Sequence, residues 1–251
     1  MTTAGYHSPV RDSESGITAG PTAAAVVLAS GAGTRVGSER NKVYLPLGGH
    51  SVVAWSLRTL AGVAGIGVLV LVARPQDEEL AGQVLDTECA GCAVQVVPGG
   101  AARHDSELMA LRHLGPRIAS GEIDVVLMHD AARPLVTPAL VTAVLAAARQ
   151  DGGAVPGVPR DGLMLASADG SVAEADLGTM MAMQTPQGFL AAPLLAAYEQ
   201  AAADGFAGTD TAACVTRYTD IQVRCIPGDE RNIKITYPHD LVVAAQSLAR
   251  P

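Results

Sequence analysis

Ala23–Arg35 reads AAAVVLASGAGTR: a continuous apolar run, Ala23–Ala29, that passes without a polar break into a glycine-rich turn. An uninterrupted apolar run of this length suits a strand buried on both faces, and the glycines suit a tight exit toward a helix. The same rhythm returns on moving outward. Gly67–Ala73 (GVLVLVA) reads as a second buried strand. Val94–Val97 reads as a short strand before Gly99–Gly100, and Asp124–Met128 (DVVLM) as a strong one running into His129–Asp130. Val52–Ala61, Asp77–Leu85, Asp105–Leu114 and Thr137–Ala147 carry helical spacing between them. Strands alternating with helices of roughly ten residues predict an α/β fold with a doubly wound, mostly parallel sheet. Ligands of such sheets bind beyond the carboxyl ends of the strands. The unusual residues stand at those ends: the glycine loop after Ala29, Gly99–Arg103 and His129–Pro134.

Composition narrows the chemistry. The 251 residues are 49% hydrophobic and 3% aromatic, so the core must be built from Ala, Val, Leu and Ile. So few aromatics argue against stacking on single-stranded nucleic acid. A net charge of −8 gives no general attraction to nucleic acid or to an anionic membrane. An anionic substrate must therefore be held by a local cluster of Arg and Lys. Cys89 and Cys92 form a lone C-x-x-C with no second ligand pair at zinc spacing, and the reading is ordinary reduced thiols. No apolar run is long enough to span a membrane. Residues 1–21 lack the apolar core of a signal peptide and read as a flexible tail before a single domain, 22–251, with a cytoplasmic location expected.

After Gly152 the helical periodicity fades. The segment to Thr185 reads as an antiparallel excursion, an arm over about 155–180. Leu190–Ala203 is expected to be a helix, Ile221–Ile226 and Ile233–Ile235 late strands, and His239–Ala249 a closing helix.

Small residues in the first loop let backbone N–H groups approach phosphate oxygens, and Arg35 and Lys42 add full charges. A Walker loop is absent, because no Gly-Lys pair is followed by Ser or Thr. A dinucleotide fingerprint fails as well: Val36 holds the third glycine position, and Ala73-Arg74-Pro75 stands where an acidic residue would follow the second strand.

The remaining form, L-A-x-G-x-G-x-R followed by Lys42, resembles the signature of sugar-phosphate nucleotidyltransferases. Gly99-Gly100-x-x-Arg103-x-x-Ser106 and His129-Asp130-Ala131-Ala132-Arg133-Pro134 resemble the 2-C-methyl-D-erythritol 4-phosphate cytidylyltransferase family. Thr185-Pro186-Gln187-Gly188-Phe189, Thr209-Asp210 and Asn232-Ile233-Lys234-Ile235-Thr236 continue it in order. The resemblance implies a Rossmann-like nucleotidyltransferase fold with a protruding β-arm, CTP as substrate, a polyol phosphate acceptor, Mg²⁺ and a homodimer joined through the arm. It implies that Ala29, Ser30, Gly31 and Gly33 cradle the triphosphate while Arg35, Lys42 and Lys234 do the catalytic neutralising. Gly100, Arg103, Ser106 and Ala131 are carried over as nucleotide contacts. Asp130, Arg133, Thr185 and Thr209 are carried over to the acceptor, with Asp130 also a candidate Mg²⁺ ligand. His129 reads as structural, and Asp210 as a helper of the threonines or a helix cap.

The chain departs from the family pattern mostly on the acceptor side. Gly162 stands for a Thr, Leu165 lies near a Lys position, and Leu177 takes the place of an Arg that would grip the acceptor phosphate. Asn41 replaces a Pro and Ala101 an acidic residue. Arg160 is the arginine that could substitute. Two alternatives follow: a cytidylyltransferase for another polyol phosphate such as ribitol 5-phosphate, or a catalytically weak nucleotide-binding paralogue.

Overall fold

The computed structural model describes residues 20–31, 40–162, 165–166, 172–173 and 179–249. Most of the expected tail, Gly33 and Arg35 of the glycine loop, and Leu177 lie outside the described residues.

The elements run β1 (Thr22–Leu28), a hairpin of β2 (Pro46–Leu47) and β3 (His50–Ser51), α1 (Val52–Ala61), β4 (Ile66–Ala73), α2 (Glu78–Glu88), β5 (Val94–Pro98) and α3 (Arg103–Ala119). Then come β6 (Ile123–Asp130), α4 (Pro138–Asp151), β7 (Gly153–Pro159), β8 (Leu165–Ala166), β9 (Val172–Ala173), β10 (Met181–Met183) and β11 (Gln187–Leu190). The chain closes with α5 (Ala191–Asp204), α6 (Thr211–Tyr218), β12 (Arg224–Pro227) and α7 (Pro238–Leu248).

β6, β1, β4 and β5 lie side by side and parallel. β11 runs antiparallel between β6 and β7, and β12 adds in parallel to β7. Side chains alternate across the sheet. Ala23, Ala25 and Val27 therefore pack under α1, α2 and α4 on one face. Ala24, Val26 and Leu28 pack under α3, α5 and α6 on the other. Both layers consist largely of Ala, Val and Leu, which is how a chain this poor in aromatics fills a two-sided core.

Three expectations need correction. Helix α3 does not stop at Leu114 but runs on through Pro116 to Ala119, because Leu114 and Ile118 both pack into the core and outweigh the lost N–H. Gly153–Pro159 belongs to the central sheet, with all but Pro159 buried, so the excursion leaves the body after Pro159 rather than near 155. Ile233–Ile235 is not a strand of any sheet among the described residues. It is an extended segment fastened by Ile235 N–H to the Ala132 carbonyl (2.8 Å). Within the excursion β8 and β9 pair antiparallel, and at its foot Met181 pairs with Pro159.

Candidate active site

The carboxyl ends of β1, β4, β5 and β6 open on a cavity of ≈ 740 Å³. Ser30, Gly31, Lys42, Arg74, Gly99, Gly100, Arg103, Asp130 and Lys234 line it. The backbone of the glycine pair is pressed close to its neighbours. A Cβ on Gly99 would stand 2.6 Å from the Ser30 Cβ, and one on Gly100 would stand 2.3 Å from the Asp105 Cβ. Ser106 stitches this corner. Its Oγ accepts from Gly100 N–H (3.1 Å), donates to the Ala102 carbonyl (3.0 Å) and meets Ser30 Oγ (2.7 Å). Lys42, 8% exposed, opens a single 3₁₀ turn, Lys42–Tyr44, capped by Asn41. The Asn41 amide also donates to the Ala29 carbonyl and to Asp77 Oδ2, both at 2.9 Å. The residue that departs from the family's proline thus ties the glycine loop to the start of α2.

Asp130 ends β6 and is 6% exposed. Its Oδ1 pairs with Arg103 Nη1 and its Oδ2 with Lys234 Nζ at 2.7 Å. Burial alone would raise its pKa, but the Arg103 and Lys234 charges hold the carboxyl well below the usual carboxylate range. Beneath it, Thr185 Oγ accepts from Asp130 N–H (3.0 Å) and faces His129 Nδ1 (3.1 Å). His129 Nε2 faces the Arg133 carbonyl and Ser56 Oγ, each at 3.2 Å. A carbonyl can only accept, so the proton sits on Nε2 and Thr185 donates to Nδ1. Full burial pushes the His129 pKa down to about 4 and keeps the ring neutral, as its structural reading requires. Lys234 is delivered by a brace. Arg133 donates to the Asn232 carbonyl (2.7 Å) and the Met183 carbonyl (3.2 Å), and the Asn232 amide donates to the Thr185 carbonyl (2.9 Å).

A cluster of cations around one carboxylate, set beside a glycine corner at the strand ends, is machinery for a polyphosphate. The family model of 2-C-methyl-D-erythritol 4-phosphate cytidylyltransferase (IspD) matches residues 23–250. The chain belongs to this family. It is 36% identical over 222 residues to the 2-C-methyl-D-erythritol 4-phosphate cytidylyltransferase of Geobacter metallireducens, covering 88% of this chain and 94% of that one. It is 42% identical over 228 residues to the bifunctional enzyme IspD/IspF of Nitratidesulfovibrio vulgaris, covering 87% of this chain but only 56% of that longer relative. The chain thus spans little more than half of the bifunctional protein's length. Among solved structures, the 4-diphosphocytidyl-2C-methyl-D-erythritol synthase of Anaerococcus prevotii superposes with a TM-score of 0.79 at 26% identity, over 92% of this chain and 97% of that one.

Within this cytidylyltransferase fold, the expected site residues separate into groups. Ser30, Gly31, Lys42, Gly100, Arg103, Asp130 and Lys234 share the cavity, with Ser106 directly behind it. Ala29 and Ala131 do not line it. Ala29 N–H is spent on the Val72 carbonyl (2.8 Å) and Ala131 N–H on the Leu28 carbonyl (3.1 Å). Thr185 is 4% exposed with its hydroxyl committed to His129 and Asp130, and Arg133 is committed to backbone carbonyls, so both brace the site from behind. Thr209 is exposed and lines a separate hollow of ≈ 660 Å³ with Met183, Phe206, Asp210 and Arg217. Asp210 caps α6, its Oδ1 accepting from Ala213 N–H at 2.9 Å. Arg160 is exposed just past β7 and is not among the residues lining either hollow. Asp130 is poorly suited to hold Mg²⁺ by itself. Both its oxygens already face cations, Arg133 Nε stands 3.9 Å behind, and no group of three or more His, Cys, Asp or Glu gathers among the described residues.

Sequence reasoning missed Glu107 and Gln184 and gave Asn232 no role beyond its place in the motif; all three are buried and polar. Glu107 stands four residues after Arg103, the spacing of a helical ion pair, which was a usable signal. Among the described residues no helix is long and apolar enough to cross a membrane.

Proposed function

We propose that the protein transfers the cytidylyl group of CTP to 2-C-methyl-D-erythritol 4-phosphate and releases pyrophosphate, supplying a precursor of isoprenoid synthesis in the cytoplasm. The observation that carries this reading is that Lys42, Arg103 and Lys234 line one cavity beside Gly99–Gly100, with Arg103 and Lys234 paired to Asp130. An oxygen of the acceptor phosphate bonds to the α-phosphorus of CTP, and the bond from that phosphorus to the bridging oxygen of the β-phosphate breaks. Both reactants are multiply negative, and two like unit charges about 4 Å apart repel by ~4 kcal/mol in a partly shielded site. Catalysis then consists of neutralising charge and aligning the attack in line.

In this reading Lys42, Lys234 and Arg35 neutralise the triphosphate and the charge developing on the α-phosphoryl group. Ser30, Gly31 and Gly33 bring the loop against the phosphates, and the close-packed Gly100 backbone meets the base edge. Asp130 fixes Arg103 and Lys234 in place. Mg²⁺, when bound, would supply further charge neutralisation; Asp130 would contribute little to holding it, and phosphate oxygens and water would provide most of its ligands. Thr209 meets the acceptor from the second hollow. A homodimer through the arm is part of the proposal, supported by Met180 and Met183, which stand 39% and 48% exposed at the arm's foot.

Pyrophosphate release with Mg²⁺ and CTP, measured against a panel of polyol phosphates, tests the reading. Release dependent on 2-C-methyl-D-erythritol 4-phosphate is expected. Preference for ribitol 5-phosphate reassigns the acceptor, and no release with any acceptor overturns the reading. A monomer in sedimentation velocity removes the dimer.

A further inference from the structure

Glu107 is a buried carboxylate behind Arg103 that the mechanism above does not use. It is 1% exposed on α3 and holds three donors. Oε1 accepts from Thr211 Oγ1 at 2.7 Å and pairs with Arg103 Nη2 at 3.2 Å, and Oε2 accepts from the Tyr198 hydroxyl at 2.8 Å. Arg103 therefore lies between two carboxylates, with Nη1 on Asp130 and Nη2 on Glu107. Its Nε is buried and without a hydrogen-bond partner, so the polar contacts of the guanidinium run through its two terminal nitrogens. Thr211 begins α6, two residues past Thr209 and next to Asp210, which is itself held by Gln187 Nε2 at 3.1 Å. One buried side chain thus joins the arginine of the nucleotide cavity to the helix start that borders the second hollow.

A carboxylate in this position is expensive. Desolvating an ion costs several kcal/mol even after relaxation, and an apolar residue of similar size would pack more cheaply. Burial indeed pushes the Glu107 carboxyl up in pKa against the pull of Arg103, Thr211 and Tyr198. What the carboxylate gives in return is geometry: a planar two-point hold on a guanidinium that a single partner would leave free to turn.

We propose that Glu107 is a positioning residue for nucleotidyl transfer, fixing Arg103 against Asp130 and tying it to the start of α6. The inference rests on the transferase reading. Charge counting separates it from simple electrostatics. Removing the Glu107 charge makes the site more positive, so CTP binding is not weakened by loss of attraction, and any loss of rate must come from misplacement.

The test is Glu107→Gln, nearly isosteric, measured in the full chain. Expected are a kcat lowered at least tenfold, a calorimetric Kd for CTP within threefold of the parent, and no further loss of kcat when the change is made in an Arg103→Ala background. Tyr198→Phe removes a donor from the same carboxylate without touching Arg103, and is expected to lower the melting temperature while leaving kcat unchanged. Glu107→Asp keeps the charge but withdraws it by a methylene, and is expected to lower kcat in the same direction by less. A parental kcat in E107Q, a full additional loss in the Arg103→Ala background, or an equal kcat loss in Tyr198→Phe overturns the proposal. A crystal structure of E107Q gives a readout independent of turnover. Arg103 is expected to leave Asp130, and an Arg103 still seated on Asp130 overturns the positioning role even if the parent turns over no acceptor at all. A parent that binds CTP without turning over any acceptor overturns the acceptor assignment instead.

Discussion

Thr185→Val separates two roles for a residue that the family resemblance assigns to the acceptor. Valine keeps the shape and removes only the hydroxyl. In the structure that hydroxyl accepts from Asp130 N–H at 3.0 Å and donates to His129 Nδ1 at 3.1 Å, in a shell where His129 is fully buried and Asp130 6% exposed. Its loss leaves two buried polar groups unpaired. Each such group costs about 1–3 kcal/mol, and some relaxation brings the expected total to about 2–4 kcal/mol. For a chain of this size 1 kcal/mol moves the melting temperature by roughly 2–4 °C, so a fall of about 5–15 °C is expected. Differential scanning calorimetry, paired with steady-state kinetics, measures it, and Thr185→Ser is expected to restore the parental melting temperature. A Thr185→Val chain that melts within about 1 °C of the parent, with only the acceptor KM raised, would refute the bracing role and return Thr185 to the acceptor.

His129 predicts a pH dependence. Its pKa falls from 6.5 in the unfolded chain to about 4 in the fold, so the unfolded state binds more protons between those values. Stability is then full above about pH 6.5, falls as pH drops, and loses about 2 kcal/mol between pH 7 and pH 5 from this group. Urea midpoints at the two pH values read it, and a His129→Gln chain is expected to show a flatter dependence. Gly100→Ala places a Cβ 2.3 Å from the Asp105 Cβ. It should destabilise by about 1–3 kcal/mol and weaken CTP at least tenfold in calorimetric titration. Lys234→Ala takes one of two cations from the buried Asp130 and leaves Arg103 in place, so a loss of about 1–3 kcal/mol of stability is expected, whereas turnover falls on the order of 100-fold. Equal kinetics in parent and variant would take Lys234 out of the catalytic set.

The parallel sheet was legible because its strands are short uninterrupted apolar runs. Helix α1 was read to its exact ends because its apolar spacing stops at Gly62. The gathering of Gly100 and Asp130 was legible because strand ends of a parallel sheet must share one side, whereas Lys42 and Lys234, which stand on no strand, were placed with them by the family resemblance. Three things stayed hidden for different reasons. Gly153–Pro159 looks like loop because Gly153, Pro156, Gly157 and Pro159 have low strand propensity, yet all but Pro159 are buried between β11 and β12. The commitments of Ala29, Ala131 and Thr185 are hydrogen-bond facts, and residue type does not reveal which partner a hydroxyl or an amide has taken. The buried polar brace of Glu107, Asn232 and Gln184 joins residues some 45 to 104 positions apart, beyond what local periodicity can show.

The foot of the arm is closed on itself. Met181 pairs with Pro159, and Arg160 N–H bonds the Met180 carbonyl at 2.9 Å. Residues 161–179 are therefore an insertion tied off at its neck, and the entropic cost of a longer or shorter one grows only slowly with its length. Gly162, which stands for a Thr of the family pattern, is exposed just beyond that neck. A change of length beyond the neck need not disturb the pairing of β7 with β10, β11 and β12 that completes the sheet on this side.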